Sequence, residues 1–298
     1  AGLKPGQVDA TAIGYVLGPR LNAAGRLSHA EIAYRLLVTG KPERAEQLAV
    51  DLGELNRQRQ EITRQAHQMA RGVALEMEDD RPLLVAADPG FTPGILGLVA
   101  SRVLDEFYRP TIVVQVGQEI SRGSCRSIPE FNITRALEAC DDLLVRYGGH
   151  AAAAGFEVPS PNLERLVERL LNIAVERLSD VDLTPVLTVD AEVALSQMSW
   201  DLHRALSSLE PCGYANPQAV FVSRDVRARY HRAVGREGRH LKLVLSDGEL
   251  TWDAIAFRQG EWAGRLPDTI DVAYHLEINE WNGQKRLQLN VQDIQPAG

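Results

Sequence analysis

The sequence has few cysteines and no long apolar run, and both absences exclude classes of protein. Three cysteines in 298 residues are too few and too far apart for a disulfide framework or a zinc knuckle, which favours a reducing cytoplasm. The longest apolar stretches, such as Pro82 to Ala87, have the length of a strand, whereas a membrane-spanning helix needs roughly 18 uninterrupted apolar residues. We therefore expect a cytoplasmic protein that does not enter a membrane. The start at Ala1 has neither an initiator Met nor a secretory signal, so we expect the sequence to begin within a longer protein.

Several catalytic signatures are also absent. The sequence has no Walker A, no nucleotide-binding GxGxxG and no GxSxG string. Its histidines are scattered, and none stands beside an acidic residue in the spacing that metal ligands require. The residues alone therefore predict no metal ligand and no complete catalytic centre. With 45% hydrophobic and 24% charged residues, the composition is that of a globular protein of about two domains.

One short region is basic although the protein as a whole is acidic. The net charge is −8, yet residues 224–242, called the basic segment below, hold seven Arg or Lys against two acidic residues. Small barrels that bind single strands combine a cationic groove with aromatic faces. The candidates for such a path are Arg229, Arg232, Arg236 and Lys242, and the aromatic candidates are Tyr230, Phe257, Tyr274 and Trp281. A solvated basic face with its aromatics in the core would give the same pattern.

Periodicity predicts helices first and an α/β domain after them. Residues 30–38 and 42–77 read as helices, and the second is long and polar, as in helices that bridge domains. A strand, a helix and a second strand follow at 83–87, 94–107 and 111–116, the length of a βαβ crossover. The remaining predicted elements of this domain are a hairpin-like segment at 118–124, a helix at 132–146, a glycine-rich turn at 147–150 and a helix at 162–178.

The last third of the chain alternates with a period of two. A helix at 200–209 interrupts the alternation, and Asp-Gly and Asn-Gly pairs mark turns. Several short strands within roughly 100 residues predict a small barrel or sandwich. The predicted strands are 187–193, 219–222, 241–245, 251–257, 270–278 and 286–291.

The string Leu17–Arg26 sets two arginines and an asparagine among small residues and turn formers. Small residues let a backbone approach a ligand closely, and a fixed guanidinium suits phosphate oxygens. Arg20, Asn22 and Arg26 are therefore candidate phosphate ligands. The alternative is a loop between helices whose arginines are solvated.

The string Ser121–Ser127 carries hydroxyls and a guanidinium near the end of a predicted strand. Alternation points Ser124 and Arg126 to one face, where both could reach one anion, and Ser127 follows them. An exposed polar edge strand would look similar.

The string Gly148–Gly155 contains paired glycines, a histidine and four alanines. Gly148 and Gly149 permit positive φ and free N–H groups, and His150 can donate to a phosphate or transfer a proton. A structural histidine above tightly packed alanines is the alternative.

Nine strings of the chain occur in the same order in a known family. They are Gly18–Arg26, Leu55–Arg57, Gly97–Arg102, Tyr108–Ile112, Gly123–Ser127, Gly148–Gly155, Gly213–Pro217, His240–Lys242 and Asn279–Gly283. Together they resemble the RecJ-type single-stranded-DNA-specific exonucleases of the DHH phosphoesterase superfamily, over nearly the whole chain.

The resemblance implies an α/β plus β architecture. The expected parts are the end of a DHH domain at 1–40, a long connecting helix at 41–80, a DHH-associated α/β domain with a mixed sheet at 81–180 and an OB-fold-like barrel at 185–298. In the family the DHH domain supplies the ligands of two divalent ions, Mn²⁺ or Mg²⁺. Those ligands are expected outside this chain, which would be the substrate-holding part.

The resemblance also implies roles for the residues above. Ser124 and Arg126 would hold a 5′ phosphate, with Arg20 or Arg26 on a nearby phosphate, and His150 would face the scissile phosphate. One departure concerns a Trp-His pair of many family members, where this chain has Phe91 and Thr92. The role of that histidine is therefore not expected at these positions.

The implied function is 5′→3′ exonuclease activity on single-stranded DNA in repair and recombination, with a single-strand-binding protein or a helicase as a partner. The isolated chain is expected to bind single strands and not to cut them. One alternative is a DHH-superfamily phosphodiesterase acting on short oligonucleotides or cyclic dinucleotides, whose usual members lack the trailing barrel. Another is a non-catalytic single-strand-binding scaffold.

Overall fold

A computed structural model describes residues 2–3, 6, 8–77, 81–213 and 215–298. The predicted start at Ala1, the change of pattern after Asp79 and Asp80, and Tyr214 of the Gly213–Pro217 string lie outside the described residues. The chain forms two compact units, the first ending at Pro185 and the second spanning Val186–Gly298. Each unit is described by itself.

Helices occupy the first part of the first unit. A π-helical segment, Ala12–Leu17, leads into α1 (Gly18–Leu27), α2 (Glu31–Val38) and α3 (Pro42–Glu76). The long helix predicted at 42–77 is confirmed. The alternative of a loop at 17–26 is wrong, because Pro19 stands in the first turn of α1, where its missing N–H costs nothing, and Ala24 is buried against Leu52 of α3.

A five-stranded mixed sheet follows these helices. Its strands are β1 (Leu84–Asp88), β2 (Thr111–Gln115), β3 (Ile120–Arg126), β4 (Arg146–His150) and β5 (Ala153–Pro159). They lie in the order β1-β2-β3-β5-β4, with β1 and β2 parallel and the other pairs antiparallel. The predicted crossover is present, because α4 (Leu96–Phe107) connects the parallel pair.

The two faces of this sheet carry different helices. On one face α3 and α4 pack on alternate residues of the first two strands, Leu84, Ala86 and Val113. On the other face α5 (Ile133–Glu138) and α6 (Leu163–Leu178) cover Ile112, Val114 and Cys125. Ser124 of β3 stands opposite Val113 of β2, so its side chain lies on the face of the sheet that α4 covers.

The helix predicted at 132–146 and the turn predicted at 147–150 are wrong. Helix α5 ends at Glu138, a short 3₁₀ turn covers Asp141–Leu143, and the glycines lie in edge strand β4. Pairing with β5, in which Tyr147 stands opposite Phe156, outweighs any local preference for a turn. The reversal occurs instead at residues 151–152.

The second unit contains a closed barrel. The strands of the unit are β6 (Ala191–Glu192), β7 (Phe221–Val234), β8 (His240–Ser246), β9 (Thr251–Ala256), β10 (Thr269–Trp281) and β11 (Gln284–Pro296), of which the last five form the barrel. Strands β7-β8-β9-β11-β10 are paired in that order and β10 returns to β7, with β9 and β11 parallel. This closed arrangement of five strands confirms the expected OB-like barrel.

Several predicted elements of this unit differ in length. The strands predicted at 219–222 and 286–291 overlap the longer strands β7 and β11. The strand predicted at 187–193 is reduced to Ala191–Glu192, which pairs with the start of β7. The predicted helix is α7 (Trp200–Ser207), capped by the Ser199 hydroxyl. No helix among the described residues of either unit is long and apolar enough to cross a membrane.

Candidate nucleic-acid-binding site

An open trough lies on the α4 face of the first sheet, where the helix no longer covers the strands. Ser124, Gly155 and Gly148 stand directly opposite one another on β3, β5 and β4. Glycines provide no side chain above the sheet, so this row forms a flat floor beside the start of α4. Pro93 and Leu96 line the other side, and the cleft has a volume of about 380 Å³. We call this cleft the glycine trough.

The next row along the same face ends the trough with charged and polar groups. Two residues further on, Arg126, Ala153 and His150 stand opposite one another on the same three strands. Arg126 donates to the Cys125 carbonyl at 2.7 Å and lies 3.4 Å from the Ser124 hydroxyl. The structure therefore brings together Ser124 and Arg126, as strand alternation predicts, with His150 on the far strand of the row.

Helix α4 approaches Arg126 so closely that a side chain at position 97 would displace the guanidinium group. A Cβ added to Gly97 would lie 2.6 Å from Arg126 Nη2 and 3.1 Å from the Ser124 hydroxyl. The end of α1 meets the same place, since Arg26 Nη1 donates to the Gly94 carbonyl at 3.0 Å. Arg26 from α1 thus meets Ser124 and Arg126 from β3 at one corner.

The corner has an excess of positive charge. Burial lowers the pKa of the Arg126 guanidinium, and the positive charge of Arg26 lowers it further. Burial likewise lowers the pKa of Arg59 on α3, and the charges of Arg26 and Arg102 add to that effect. Because like charges at short range repel one another, a bound anion would relieve this repulsion.

Gly148, Gly149 and His150 of the Gly148–Gly155 string lie in different surroundings. Gly148 has no atom within 4 Å of an added Cβ, so its side of the trough is open. Gly149 has a φ of +154°, and an added Cβ would lie 2.3 Å from the Ala153 carbonyl oxygen, so this position requires glycine for the fold. His150 is exposed, and its carbonyl accepts a hydrogen bond from Thr134 Oγ1 at 2.7 Å.

Three predicted phosphate ligands are not brought to this corner by any described contact. The hydroxyl of Ser127 is buried and donates to the Phe131 carbonyl at 2.6 Å, which closes the loop after β3. Arg20 donates to the Val16 carbonyl one turn back at 2.6 Å. Asn22 is exposed on α1, one helical turn before Arg26.

Phe91 and Thr92, which depart from the family's Trp-His pair, have a structural place. Phe91 is buried in the core between α3, α4 and the sheet. Thr92 precedes the short 3₁₀ turn Pro93–Ile95 that leads into α4. The approach of this turn to Arg26 is therefore formed without a histidine here.

The row on the other side of the glycines contains an ion-pair network that was not predicted from the sequence. Arg122, Glu157 and Arg146 stand opposite one another on β3, β5 and β4, and all of them line the trough. The two-residue alternation that links Ser124 to Arg126 applies equally to Arg122, so the signal was present in the sequence. Gly97 was missed because its role depends on how α4 crosses the sheet.

In the second unit the basic segment runs along β7 and β8. Arg232 and Lys242 stand opposite each other on these strands, next to Tyr230, which is half exposed. Arg229 lies at the bulge of β7, and Arg236 at the tip of the hairpin is exposed. Arg224 at the beginning of the segment is paired with Glu192 and Asp271 at 2.9 and 2.7 Å.

The aromatic candidates of the barrel separate into exposed and buried residues. Trp281 is 73% exposed and Phe257 is 52% exposed, so both have an accessible ring. Tyr274 is fully buried in the barrel, where its hydroxyl lies 2.8 Å from that of Ser223. Its proposed role as a stacking face is therefore wrong, because a residue of the barrel core cannot meet a base.

The described residues do not form a ligand set for a divalent ion. No group of three or more His, Cys, Asp or Glu side chains in the described ranges could hold a metal. The cysteines are all free, and burial raises the pKa of the Cys125 thiol to about 12.

Comparisons with known proteins match both units. The family model described as the DHHA1 domain matches residues 80–176, and the RecJ OB domain matches residues 189–293. Single-stranded-DNA-specific exonuclease RecJ of Bacillus subtilis is 32% identical over 97% of this chain and 37% of its own length. The Escherichia coli protein of the same name is 31% identical over 97% of this chain and 52% of its own length.

Solved structures give the same result. RecJ of Thermus thermophilus in complex with Mg²⁺ covers 97% of this chain at a TM-score of 0.83 and 30% identity, and the match spans 44% of that protein. The complex with Mn²⁺ has a TM-score of 0.84 and 31% identity, with coverage of 97% and 42%. The chain thus spans about half or less of the length of the relatives it matches.

Proposed function

The chain belongs to the RecJ-type family, and we propose that it holds the 5′ end of a single DNA strand for a 5′→3′ exonuclease of DNA repair and recombination. The observation that carries this proposal is the convergence of Arg26, Ser124 and Arg126 at the closed corner of the glycine trough. Guanidinium and hydroxyl donors from α1 and β3 suit the oxygens of a terminal phosphate.

The corner favours a phosphate on electrostatic grounds as well. Burial and the positive charge of Arg26 lower the pKa of Arg126 and of Arg59, so a bound anion would interact favourably with several positive charges at once. A 5′-phosphorylated end carries more charge than a 5′-hydroxyl end. We therefore expect the chain to prefer phosphorylated ends.

His150 is proposed to contact the scissile phosphate. It stands in the same row as Arg126 but two strands away, a separation of about 10 Å across the sheet. In this row Ala153 is the residue between Arg126, at the terminal phosphate, and His150. In this arrangement the chain positions the substrate, and the divalent ions that support hydrolysis in the family would be held by residues other than those described here.

The barrel is proposed to bind the strand further from its end. Arg232, which is exposed, and Lys242, which is partly buried, form a basic pair, and Trp281 and Phe257 offer accessible rings, the combination that binds single strands without sequence preference. The match to the RecJ OB domain over residues 189–293 favours this function over a phosphodiesterase for cyclic dinucleotides, whose usual members lack such a barrel.

The test is fluorescence anisotropy of the purified chain with a labelled 12-nucleotide strand. Single-stranded and duplex DNA are compared, each with a 5′ phosphate or a 5′ hydroxyl, and gel analysis with added Mn²⁺ monitors cutting. We expect tighter binding to the phosphorylated single strand and no cutting. Equal binding of all four ligands, or preferential binding of duplex, would contradict the proposal.

Two variants assign the result to the corner. Arg126→Ala should abolish the preference for the phosphorylated end, while the strand itself remains bound. Arg165→Ala removes the same charge from α6, which covers the opposite face of the sheet, and should leave the preference intact. Loss of affinity by the same factor for both ends would remove Arg126 from this role.

A further inference from the structure

The row at the open side of the glycine trough holds two arginines on one carboxylate. Arg122 Nε lies 2.9 Å and Arg146 Nη2 lies 2.6 Å from the same oxygen, Glu157 Oε1. The Glu157 side chain is only 16% exposed, whereas the arginines are 56% and 73% exposed. The carboxylate is thus shielded beneath two guanidinium groups that face solvent and the trough.

The charge of this network is unbalanced in favour of an anion. Hydrogen bonds from Arg146 and Arg122 lower the pKa of Glu157, so the carboxylate is ionised and the three side chains together carry one excess positive charge. Each guanidinium has five N–H donors, and the described contact with Glu157 uses one from each arginine. The other donors are free to bind phosphate oxygens.

This row and the corner are two separate binding positions for an anion. Arg122 and Arg126 are four residues apart on the same regular strand, which separates their Cα atoms by about 13 Å. Arg122 is held on Glu157 and Arg126 on the carbonyl of Cys125, so in these conformations their guanidinium groups lie at separate places along the trough. The trough is therefore bordered by two separate groups of arginines that can donate hydrogen bonds to a phosphate. Glycine and Ser124 form the floor between them.

We propose that Arg122 and Arg146, held in place by Glu157, bind an internal phosphodiester of the strand whose 5′ end occupies the corner. This inference rests on the proposed function and adds a second contact along the substrate. The shared carboxylate holds the long arginine side chains in position, which reduces the entropy lost when the strand binds. The flat floor leaves room for the nucleoside between the two phosphate sites.

The first experiment measures the affinity of a 5′-phosphorylated 12-nucleotide strand for Arg122→Gln and Arg146→Gln. Each single variant leaves Glu157 with one arginine partner, so both should fold, which circular dichroism and thermal unfolding verify. We expect each to bind about tenfold more weakly, as for the loss of a hydrogen bond to a charged group. The control is Arg169→Gln, which removes an equal charge from an exposed pair with Asp142 beyond the opposite face of the sheet.

The second experiment identifies the contacted linkage. A neutral methylphosphonate replaces the phosphodiester at the first, second or third linkage in turn. At the contacted linkage it should weaken binding by the wild-type chain, and the Arg122→Gln and Arg146→Gln variants should then lose little more. At the other linkages the fold-increase in Kd caused by the variant and the fold-increase caused by the methylphosphonate should multiply, because the two changes are independent.

The outcomes separate this inference from the proposed function. A wild-type chain that prefers phosphorylated single strands, with Arg122→Gln and Arg146→Gln no weaker than Arg169→Gln, would overturn the inference and leave the function standing. Independent effects at all three linkages would also overturn it. A wild-type chain without preference for a phosphorylated single strand would remove the function and the inference together.

Discussion

Gly97 in the first turns of α4 lies directly against the guanidinium group of Arg126, with an added Cβ only 2.6 Å from Nη2. A methyl group at this position therefore competes with the guanidinium for the same space. Since the contacted atom is the end of a flexible side chain, the arginine can move while the helix remains in place.

Gly97→Ala is predicted to remove the preference for 5′-phosphorylated strands without unfolding the chain. Alanine favours a helix over glycine by about 1 kcal/mol, which offsets the local displacement. The measurement is the ratio of Kd values for hydroxyl and phosphorylated ends, together with Tm. Gly72→Ala on α3, where an added Cβ meets no atom within 4 Å, is the control. An unchanged ratio for Gly97→Ala would show that the position of Arg126 does not matter.

Gly148→Val is predicted to weaken single-strand binding severalfold by filling the floor of the trough. No atom lies within 4 Å of an added Cβ, and the residue is part of strand β4, so a β-branched side chain fits the fold. Tm should therefore change little while Kd rises. Gly264→Val, at a similarly open position in the second unit, should change neither quantity. Retained affinity for Gly148→Val would place the strand outside the trough.

Removing the basic pair of the barrel is predicted to flatten the salt dependence of binding. Each phosphate contact with a single strand contributes about 0.7 to the slope of log K against log salt, so Arg232→Gln with Lys242→Gln should reduce it by about 1.4. The measurement is anisotropy across a salt series. Arg204→Gln, which removes a charge from an exposed pair with Asp201 on α7, should reduce the slope less. Equal slopes for the wild type and the double variant would exclude this pair from the DNA path.

His67 on α3 is predicted to make the chain less stable as the pH falls. Burial lowers the pKa of this histidine below its usual 6.5; the Glu106 carboxylate raises it by less, and the charges of Arg102 and Arg71 lower it further. The unfolded chain then binds a proton near pH 6.5 that the folded chain does not, so the free energy of unfolding falls as the pH decreases through that value. His67→Gln should flatten the Tm profile between about pH 5 and 7 relative to the exposed His29→Gln. Parallel profiles for the two variants would contradict this.

The sequence by itself determined the elements whose pattern is strong and local. The long polar helix Pro42–Glu76, the βαβ unit ending at Gln115 and the alternating strands of the barrel all follow from apolar periodicity. The pairing of Ser124 with Arg126 also followed, because a period of two fixes which residues of one strand share a face. Those relations hold within a single element, and neighbouring residues along the chain are enough to specify them.

Tertiary structure decided what depends on contacts between elements. The glycines of strand β4 are typical of a turn, and the strand forms because β5 pairs with it. The hydroxyl of Ser127 donates a hydrogen bond to the Phe131 carbonyl within its own loop. Arg26 reaches the corner through Gly94, a residue 68 positions away, and Glu157 gathers two arginines from neighbouring strands. Distances between separate strands and helices are set by packing and register, and no local pattern along the sequence encodes them.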